Sequence, residues 1–183
     1  MLSADERRDL LRLARWAIAA ATHAAGPAPA PSASGDSSLA GAFVSITIGG
    51  QLRGCIGYPE GNRPLANVVE QCAASAAISD PRFPAVRSDE YERLHVEISV
   101  LGPIEAVGDI SEIEIGRHGL IAELGHRRGL LLPQVAVEWG WAREEFLSHT
   151  CLKAGLARDA WREGARLYKF EAEVFGEEQG DMG

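Results

Sequence analysis

The chain has 183 residues, 46% of them hydrophobic, which is enough apolar material for one domain or two small packed lobes. Its formal charge of −8 comes without a run of Lys or Arg, so the basic footprint that binds duplex nucleic acid or an anionic membrane is missing. No apolar stretch reaches the length of a membrane span, and the N-terminus lacks the basic start of a signal peptide. These features predict a cytoplasmic protein that binds neither nucleic acid nor membrane.

The N-terminal segment is predicted to form an amphipathic helix over 3–25. Ser3 and Glu6 match a capping box, and apolar residues then recur at helical spacing. Residues 26–38 are rich in Pro, Ala and Ser and are predicted to be a mobile linker. We expect a single domain, with its core over 42–175 and a loose acidic tail over 176–183.

A β-hairpin is predicted next. Residues 43–48 are apolar and β-branched, Gly49-Gly50 suits a two-residue turn, and residues 51–56 return. The second arm carries a thiol, a guanidinium and two glycines within six positions. This segment is therefore the first candidate for a functional site.

The register of this hairpin follows by counting outward from the turn. The count pairs Ile46 with Arg53 and Val44 with Cys55, which places Arg53 and Cys55 on one face of the sheet. A nearby arginine favours the thiolate form of a cysteine. The alternative is that Cys55 is a small buried hydrophobic residue and Arg53 a polar residue of an edge strand.

The rest of the chain alternates between short helices and strands. Helices are predicted over 65–79, 133–139 and 143–154, and strands over 94–101, 118–124, 130–132 and 167–175. The last strand is predicted to direct Tyr168, Phe170, Ala172 and Val174 inward. A turn is expected over 125–129. Helices between antiparallel hairpins, without a repeating βαβ rhythm, indicate the α+β class.

The three cysteines are Cys55, Cys72 and Cys151. An odd count without a Cys-x-x-Cys pair fits reduced thiols better than a disulfide framework. Cys72 has apolar neighbours at helical spacing and is predicted to be a core residue. Cys55 is therefore the thiol for which chemistry is considered.

Five segments, in their order and spacing, resemble the AMMECR family. They are Leu-Arg-Gly-Cys-Ile-Gly at 52–57, Asp-Pro-Arg-Phe-Pro at 80–84, Gly-Arg-His-Gly-Leu at 116–120, Leu-Leu-Pro-Gln-Val-Ala at 131–136 and Cys-Leu-Lys-Ala-Gly-Leu at 151–156. The resemblance covers nearly everything from Phe43 to Val174. It implies an α+β fold of two lobes, built on antiparallel β-sheets with flanking helices, and a cleft between the lobes near Cys55.

The resemblance also implies partners and site residues. Prokaryotic members often accompany a Memo-like protein and a radical S-adenosylmethionine protein, and the biochemical function of the family is unsettled. We expect no cofactor. The residues that carry over from the matching motifs are Arg53, Gly54, Cys55, Asp80, Arg82, Phe83, His118, Gly119 and Lys153.

Three hypotheses follow. In the first, the protein is an enzyme with Cys55 as nucleophile or redox thiol and His118 as its base, acting on a small anionic substrate held by Arg53 or Lys153. In the second, it is a non-catalytic module that binds a small anion or one of the implied partners. The third, a metal site, has weaker support because the candidate ligands come from different segments, and we expect no bound metal.

Overall fold

The computed structural model describes residues 1–24 and 38–177. All but Ser38 of the linker predicted over 26–38, and residues 178–183 of the tail predicted over 176–183, lie outside the described residues. Helices and antiparallel strands alternate irregularly along the described part, which confirms the α+β class. No helix among these residues is both long and apolar enough to span a membrane.

The α-helices are α1 (Ala4–Thr22), α2 (Leu65–Ile78), α3 (Pro133–Trp139) and α4 (Arg143–Lys153). The strands are β1 (Ala42–Ile48), β2 (Gln51–Tyr58), β3 (Leu94–Leu101), β4 (Glu105–Ala106), β5 (His118–Leu124), β6 (Arg127–Leu131) and β7 (Arg166–Gly176). The predicted elements are confirmed, apart from the differences described below. The described residues form two compact units, one of residues 1–24, 38–100 and 173–177, the other of Leu101–Ala172.

The first unit is a sheet in the order β2-β1-β3-β7, with α1 and α2 packed on it. The predicted capping box starts α1, since the Ser3 hydroxyl accepts from the Glu6 amide at 3.2 Å and the Glu6 carboxylate accepts from the Ser3 amide at 2.6 Å. Alternate residues of β1 and β3 are fully buried against the helices. The core of this unit therefore lies on one face of the sheet.

The register predicted for the first hairpin is wrong beyond its first two pairs. Ile48 does pair with Gln51, but a β-bulge then shifts the ladder by one residue, so that Ser45 lies opposite Cys55 and Val44 opposite Ile56. Directly opposed residues of antiparallel strands share a face. The predicted pairing would have turned Cys55 toward the core with the fully buried Val44, whereas the bulge turns it to the other face.

The second unit is built on the sheet β6-β5-β7, with β4 pairing the other edge of β7. The helices α3 and α4 pack on this sheet over a core that includes Leu120, Phe146 and Leu147. The turn predicted over 125–129 is shorter than expected. The ladder already starts with Leu124 opposite Arg127, which leaves a two-residue turn.

The inward face of β7 changes along its length. Phe170 is buried as predicted, but Val174 is 43% exposed, so its predicted inward placement is wrong. The strand begins in the second unit and ends in the first, where Phe175 packs against the core instead. A single alternation pattern cannot describe a strand that serves two cores in turn.

Candidate functional site

Cys55 lies in β2 on the face away from the core and is partly exposed. The Ser45 hydroxyl of β1 donates a hydrogen bond to its sulfur at 3.2 Å. Its neighbour Gly54 faces the opposite way, where a Cβ atom would lie 2.0 Å from the carbonyl oxygen of Ala76 in α2. Glycine at this position lets β2 lie directly against α2, and the alternation of the strand then presents Cys55 on the other side.

The loop over 80–84 makes hydrogen bonds to both the amide and the carbonyl of Cys55. Asp80 accepts a hydrogen bond from the Cys55 amide at 2.9 Å, and Arg82 donates one to the Cys55 carbonyl at 3.3 Å. Arg82 also donates to Asp80 at 2.7 Å. The first two motifs of the chain therefore form one hydrogen-bonded assembly around the thiol.

Asp80 is the buried anchor of this assembly, with 2% of its side chain exposed. The Arg82 guanidinium, first of all, holds the pKa of Asp80 far below its usual range, and the amides of Cys55 and Arg82 act in the same direction. The pKa of Arg82 is raised, mainly by its hydrogen bond to Asp80 and also by the charge of Cys55. A cation therefore lies near the sulfur, although the Asp80 carboxylate cancels much of its field.

Arg53, the extra residue of the bulge, holds a different part of the loop. Its guanidinium donates to both carboxylate oxygens of Glu90, at 3.1 and 2.9 Å, and to the carbonyls of Pro84 and Ala85 at 2.6 and 3.1 Å. The hydrogen bond to Arg53 is the largest cause of the lowered pKa of Glu90. This geometry gives Arg53 a structural task, and its role toward a thiolate or anion stays a prediction.

Phe83 lies at the outer end of the same loop. The Arg82 guanidinium carbon is 5.4 Å from the centre of its ring, a cation–π contact. Half of the Arg82 side chain is exposed, and the Phe83 residue is partly buried. The loop thus offers a cationic and aromatic surface beside Cys55.

His118 belongs to the second unit, where it opens β5. It is 7% exposed, and its Nδ1 accepts a hydrogen bond from the Glu114 amide at 3.0 Å. Because an acceptor nitrogen carries no hydrogen, this bond fixes the neutral ring with its proton on Nε2. His118 in this form is a hydrogen-bond donor.

Gly119 and Lys153 complete the predicted residues of the second unit. A Cβ atom on Gly119 would lie 2.3 Å from the ring of Phe170, so this glycine makes room for close packing. Lys153 is the exposed last residue of α4. The approach of His118 or Lys153 to Cys55 stays a prediction.

The other two thiols are buried. Cys72 of α2 lies in the core of the first unit, as predicted, and burial raises its pKa to about 11. Burial also raises the pKa of Cys151 in the second unit. All three cysteines are free thiols, and Cys55 is the most accessible of them.

Two functional candidates escaped the sequence analysis. Ser45 was missed because the predicted register placed Val44 opposite Cys55, and Glu90 was missed because no local pattern ties it to Arg53 across 37 residues. The polar alternation of β1, with Ser45 and Thr47 between buried apolar residues, was the available signal for Ser45. In the part of the chain that the structure covers, no three His, Cys, Asp or Glu side chains are grouped to hold a metal ion.

Comparison with known proteins places this assembly in a family. The AMMECR1 family model matches residues 11–175. The chain is 45% identical over 186 residues to a protein of Methanothermobacter thermautotrophicus, covering 97% of each, and 43% identical over 192 residues to one of Methanosarcina mazei, covering 99% of this chain and 96% of the other.

A solved structure is similar as well. The crystal structure of an uncharacterised protein from Pyrococcus horikoshii matches with a TM-score of 0.86 and 43% sequence identity, over 92% of this chain and 90% of that one. The matched range contains all of the predicted site residues. The resemblance of the five motifs is thereby confirmed, and the chain belongs to the AMMECR1 family.

Proposed function

We propose that the protein acts through the thiolate of Cys55, as a cysteine-dependent enzyme working on a small anionic substrate. The observation that carries the proposal is the hydrogen bond from the Ser45 hydroxyl to a partly exposed sulfur, in a chain whose other two thiols are buried. A hydroxyl that donates to sulfur stabilises the thiolate, which is the nucleophilic form.

The backbone of Cys55 is held in place by hydrogen bonds on both its amide and its carbonyl. The Cys55 amide and carbonyl are both bound by the loop over 80–84, so the position of the thiol is fixed by strand pairing and by side-chain hydrogen bonds. Arg82 adds a cation, weakened by its pairing with Asp80. Ser45 is therefore the residue on which the proposal mainly depends.

His118 carries its ring hydrogen on Nε2, and this limits what it can do toward Cys55. Its Nδ1 is occupied by the Glu114 amide, so acting as a base toward Cys55 requires that bond to break. A hydrogen-bond donor through Nε2 is the role that needs no rearrangement. A role of His118 toward Cys55 is part of this proposal and is tested below.

The test is the pH dependence of alkylation by iodoacetamide, read at each cysteine by peptide mass spectrometry of the native protein. Cys55 is expected to titrate below the ordinary thiol value of ~8.5, while Cys72 and Cys151 stay unreactive under the same conditions. A Cys55 that titrates at or above that value would contradict the thiolate. If the His118→Gln variant leaves the Cys55 profile unchanged, His118 has no part in it.

The second candidate is a binding module for a Memo-like or radical S-adenosylmethionine partner, working without chemistry. It is favoured by the Arg82 and Phe83 surface, which is partly exposed on the loop beside Cys55. Binding of purified partner proteins distinguishes the two. Phe83→Ala weakens partner binding and Cys55→Ser leaves it intact if this candidate is right, and the opposite result excludes it.

A further inference from the structure

His118 lines a cavity that belongs wholly to the second unit. The cavity has a volume of about 180 Å³ and is lined also by Lys169, Glu105 and Glu171. His118 pairs with Glu171 between β5 and β7, and Lys169 pairs with Glu105 between β7 and β4. Because directly opposed residues and residues two apart share a face, all four side chains start from one face of this sheet.

No hydrogen bond to the ring nitrogen Nε2 of His118 is found within residues 1–24 and 38–177; the residue is 7% exposed, and Nε2 retains some accessible surface, because it is not among the fully buried atoms that lack a partner. Its proton position is fixed by the bond at Nδ1, so Nε2 carries a hydrogen. The hydrogen on Nε2 can be donated to a polar group that enters the space beside it. The cavity is the space that this donor shares with Lys169.

Lys169 supplies the charge. Its side chain is 16% exposed, and its ammonium group donates to Glu112 at 2.8 Å. An ammonium group has three hydrogens, so this contact leaves further donors. A carboxylate in the cavity would receive hydrogen bonds from both His118 and Lys169, and bonds from a charged donor are about twice as strong as neutral ones.

The two glutamates restrict the ligand. Glu171 is bound at 2.7 Å by Arg117, whereas Glu105 is exposed and pairs in register with Lys169. Two carboxylates beside the cavity disfavour dianions such as phosphate, because like charges repel. They also accept hydrogen bonds, which favours a ligand with a donor group next to its carboxylate.

We propose that this cavity binds a small monocarboxylic acid with a hydroxyl or ammonium group on the adjacent carbon, the class of α-hydroxy and α-amino acids. The carboxylate lies between His118 Nε2 and Lys169, and the adjacent donor faces Glu105. A volume of about 180 Å³ admits only the smallest members of this class. The site does not depend on Cys55, so it stands or falls separately from the proposed thiol chemistry.

The experiment is an NMR titration of protein labelled with ¹⁵N in its histidine rings, with glycine, glycolate, acetate and inorganic phosphate as probes. Glycine or glycolate is expected to shift the Nε2 signal of His118 saturably and to bind several-fold more tightly than acetate. Lys169→Met is expected to weaken binding at least 10-fold, while Arg158→Met, which removes an exposed cation of the same unit, leaves it unchanged.

Three results would overturn the proposal. The first is an Nε2 signal of His118 whose chemical shift does not change saturably with any of the probes, which would mean that only water occupies the cavity. The second is phosphate binding more tightly than glycolate, and the third is unchanged affinity in a folded Lys169→Met variant. Cys55→Ser is expected to leave the titration unchanged, whatever the alkylation profile shows.

Discussion

Cys55 and Cys72 lie on opposite faces of the sheet in the first unit. Cys72 projects from α2 into the core, where burial raises its pKa to about 11 and its sulfur lies 3.9 Å from the Ala42 carbonyl. Cys55 lies on the other face, where the Ser45 hydroxyl donates to its sulfur and the Arg82 guanidinium donates to its carbonyl. Two thiols within one small unit thus lie in different surroundings, one in the core and the other partly exposed beside polar groups.

The difference depends on one extra residue. Without the bulge at Arg53, Cys55 would pair with the buried Val44 and face the same core as Cys72. Arg53 itself is held by Glu90 and two loop carbonyls, and these contacts stabilise the bulge. The bulge therefore places a partly exposed thiol at a strand position that simple alternation would bury.

The largest effect on this comparison of the two sheet faces is expected from a change at Gly54, the residue next to Cys55 that packs directly against α2. A Cβ atom there would lie 2.0 Å from the backbone oxygen of Ala76, so Gly54→Ala is expected to lower the free energy of unfolding by ~3 kcal/mol. The free energy of unfolding is measured by chemical denaturation. Gly61→Ala is the control, because its Cβ meets nothing closer than 3.5 Å and ~0.5 kcal/mol or less is expected. Equal effects of the two would contradict the packing of β2 against α2.

The Asp80→Ala variant tests the hydrogen bonds that hold the loop over 80–84 to Cys55. Asp80→Ala removes hydrogen bonds to the Cys55 amide and to Arg82, and a loss of ~2–3 kcal/mol in the free energy of unfolding is expected. The matched control is Asp89→Ala, whose pair with Arg87 is exposed to solvent, so a much smaller loss is expected. A control that costs as much as Asp80→Ala would show that burial of the carboxylate is not what matters.

The Asp80 contribution also has a defined pH dependence. Its pKa is lowered on folding, so the stabilisation is fully present above about pH 5 and is lost as the pH falls toward the folded value. The stability difference between wild type and Asp80→Ala should therefore shrink on acidification from pH 6 to about pH 3. A difference that grows instead would reverse the sign of the Asp80 interaction.

Much of this architecture could be predicted from local patterns. The capping box of Ser3 and Glu6, the helical spacing of α2 and the alternation of β3 each reflect a short-range rule, and each is confirmed. The burial of Cys72 in the core was predictable in the same way, from its apolar neighbours at helical spacing. Local periodicity is sufficient where one element serves one core.

The details of the site depended on long-range contacts. The bulge at Arg53 is stabilised by Glu90, and no hairpin rule contains that partner. Val174 was placed inward because alternation assumes one core along a strand, whereas β7 serves two. The single bond from the Glu114 amide that sets the proton on His118 is likewise invisible in a motif of Gly-Arg-His-Gly. The residue types of the site were predictable, and their partners were not.

The smallest expected effect concerns Ser45, and it bears most directly on the thiol. Ser45→Ala removes one hydrogen bond from the Cys55 sulfur, worth ~1 kcal/mol, which lowers the thiolate fraction about 5-fold at neutral pH. The freed thiolate is also more nucleophilic, with a Brønsted slope of ~0.4–0.5, so the alkylation rate at pH 7 should fall only about 2- to 3-fold.

The smaller thiolate fraction and the greater nucleophilicity of the variant have opposite effects on the alkylation rate, and their balance changes with pH. Well above the titration midpoints of both proteins, Cys55 is fully ionised in each. The Ser45→Ala variant should then react as fast as wild type or faster, so the two pH profiles should cross. Thr47→Ala is the control, because Thr47 lies two residues along the same face of β1 and opposite Leu52. A uniform slowing at all pH values, or an equal effect of Thr47→Ala, would mean that Ser45 shapes access to the sulfur and does not stabilise its charge.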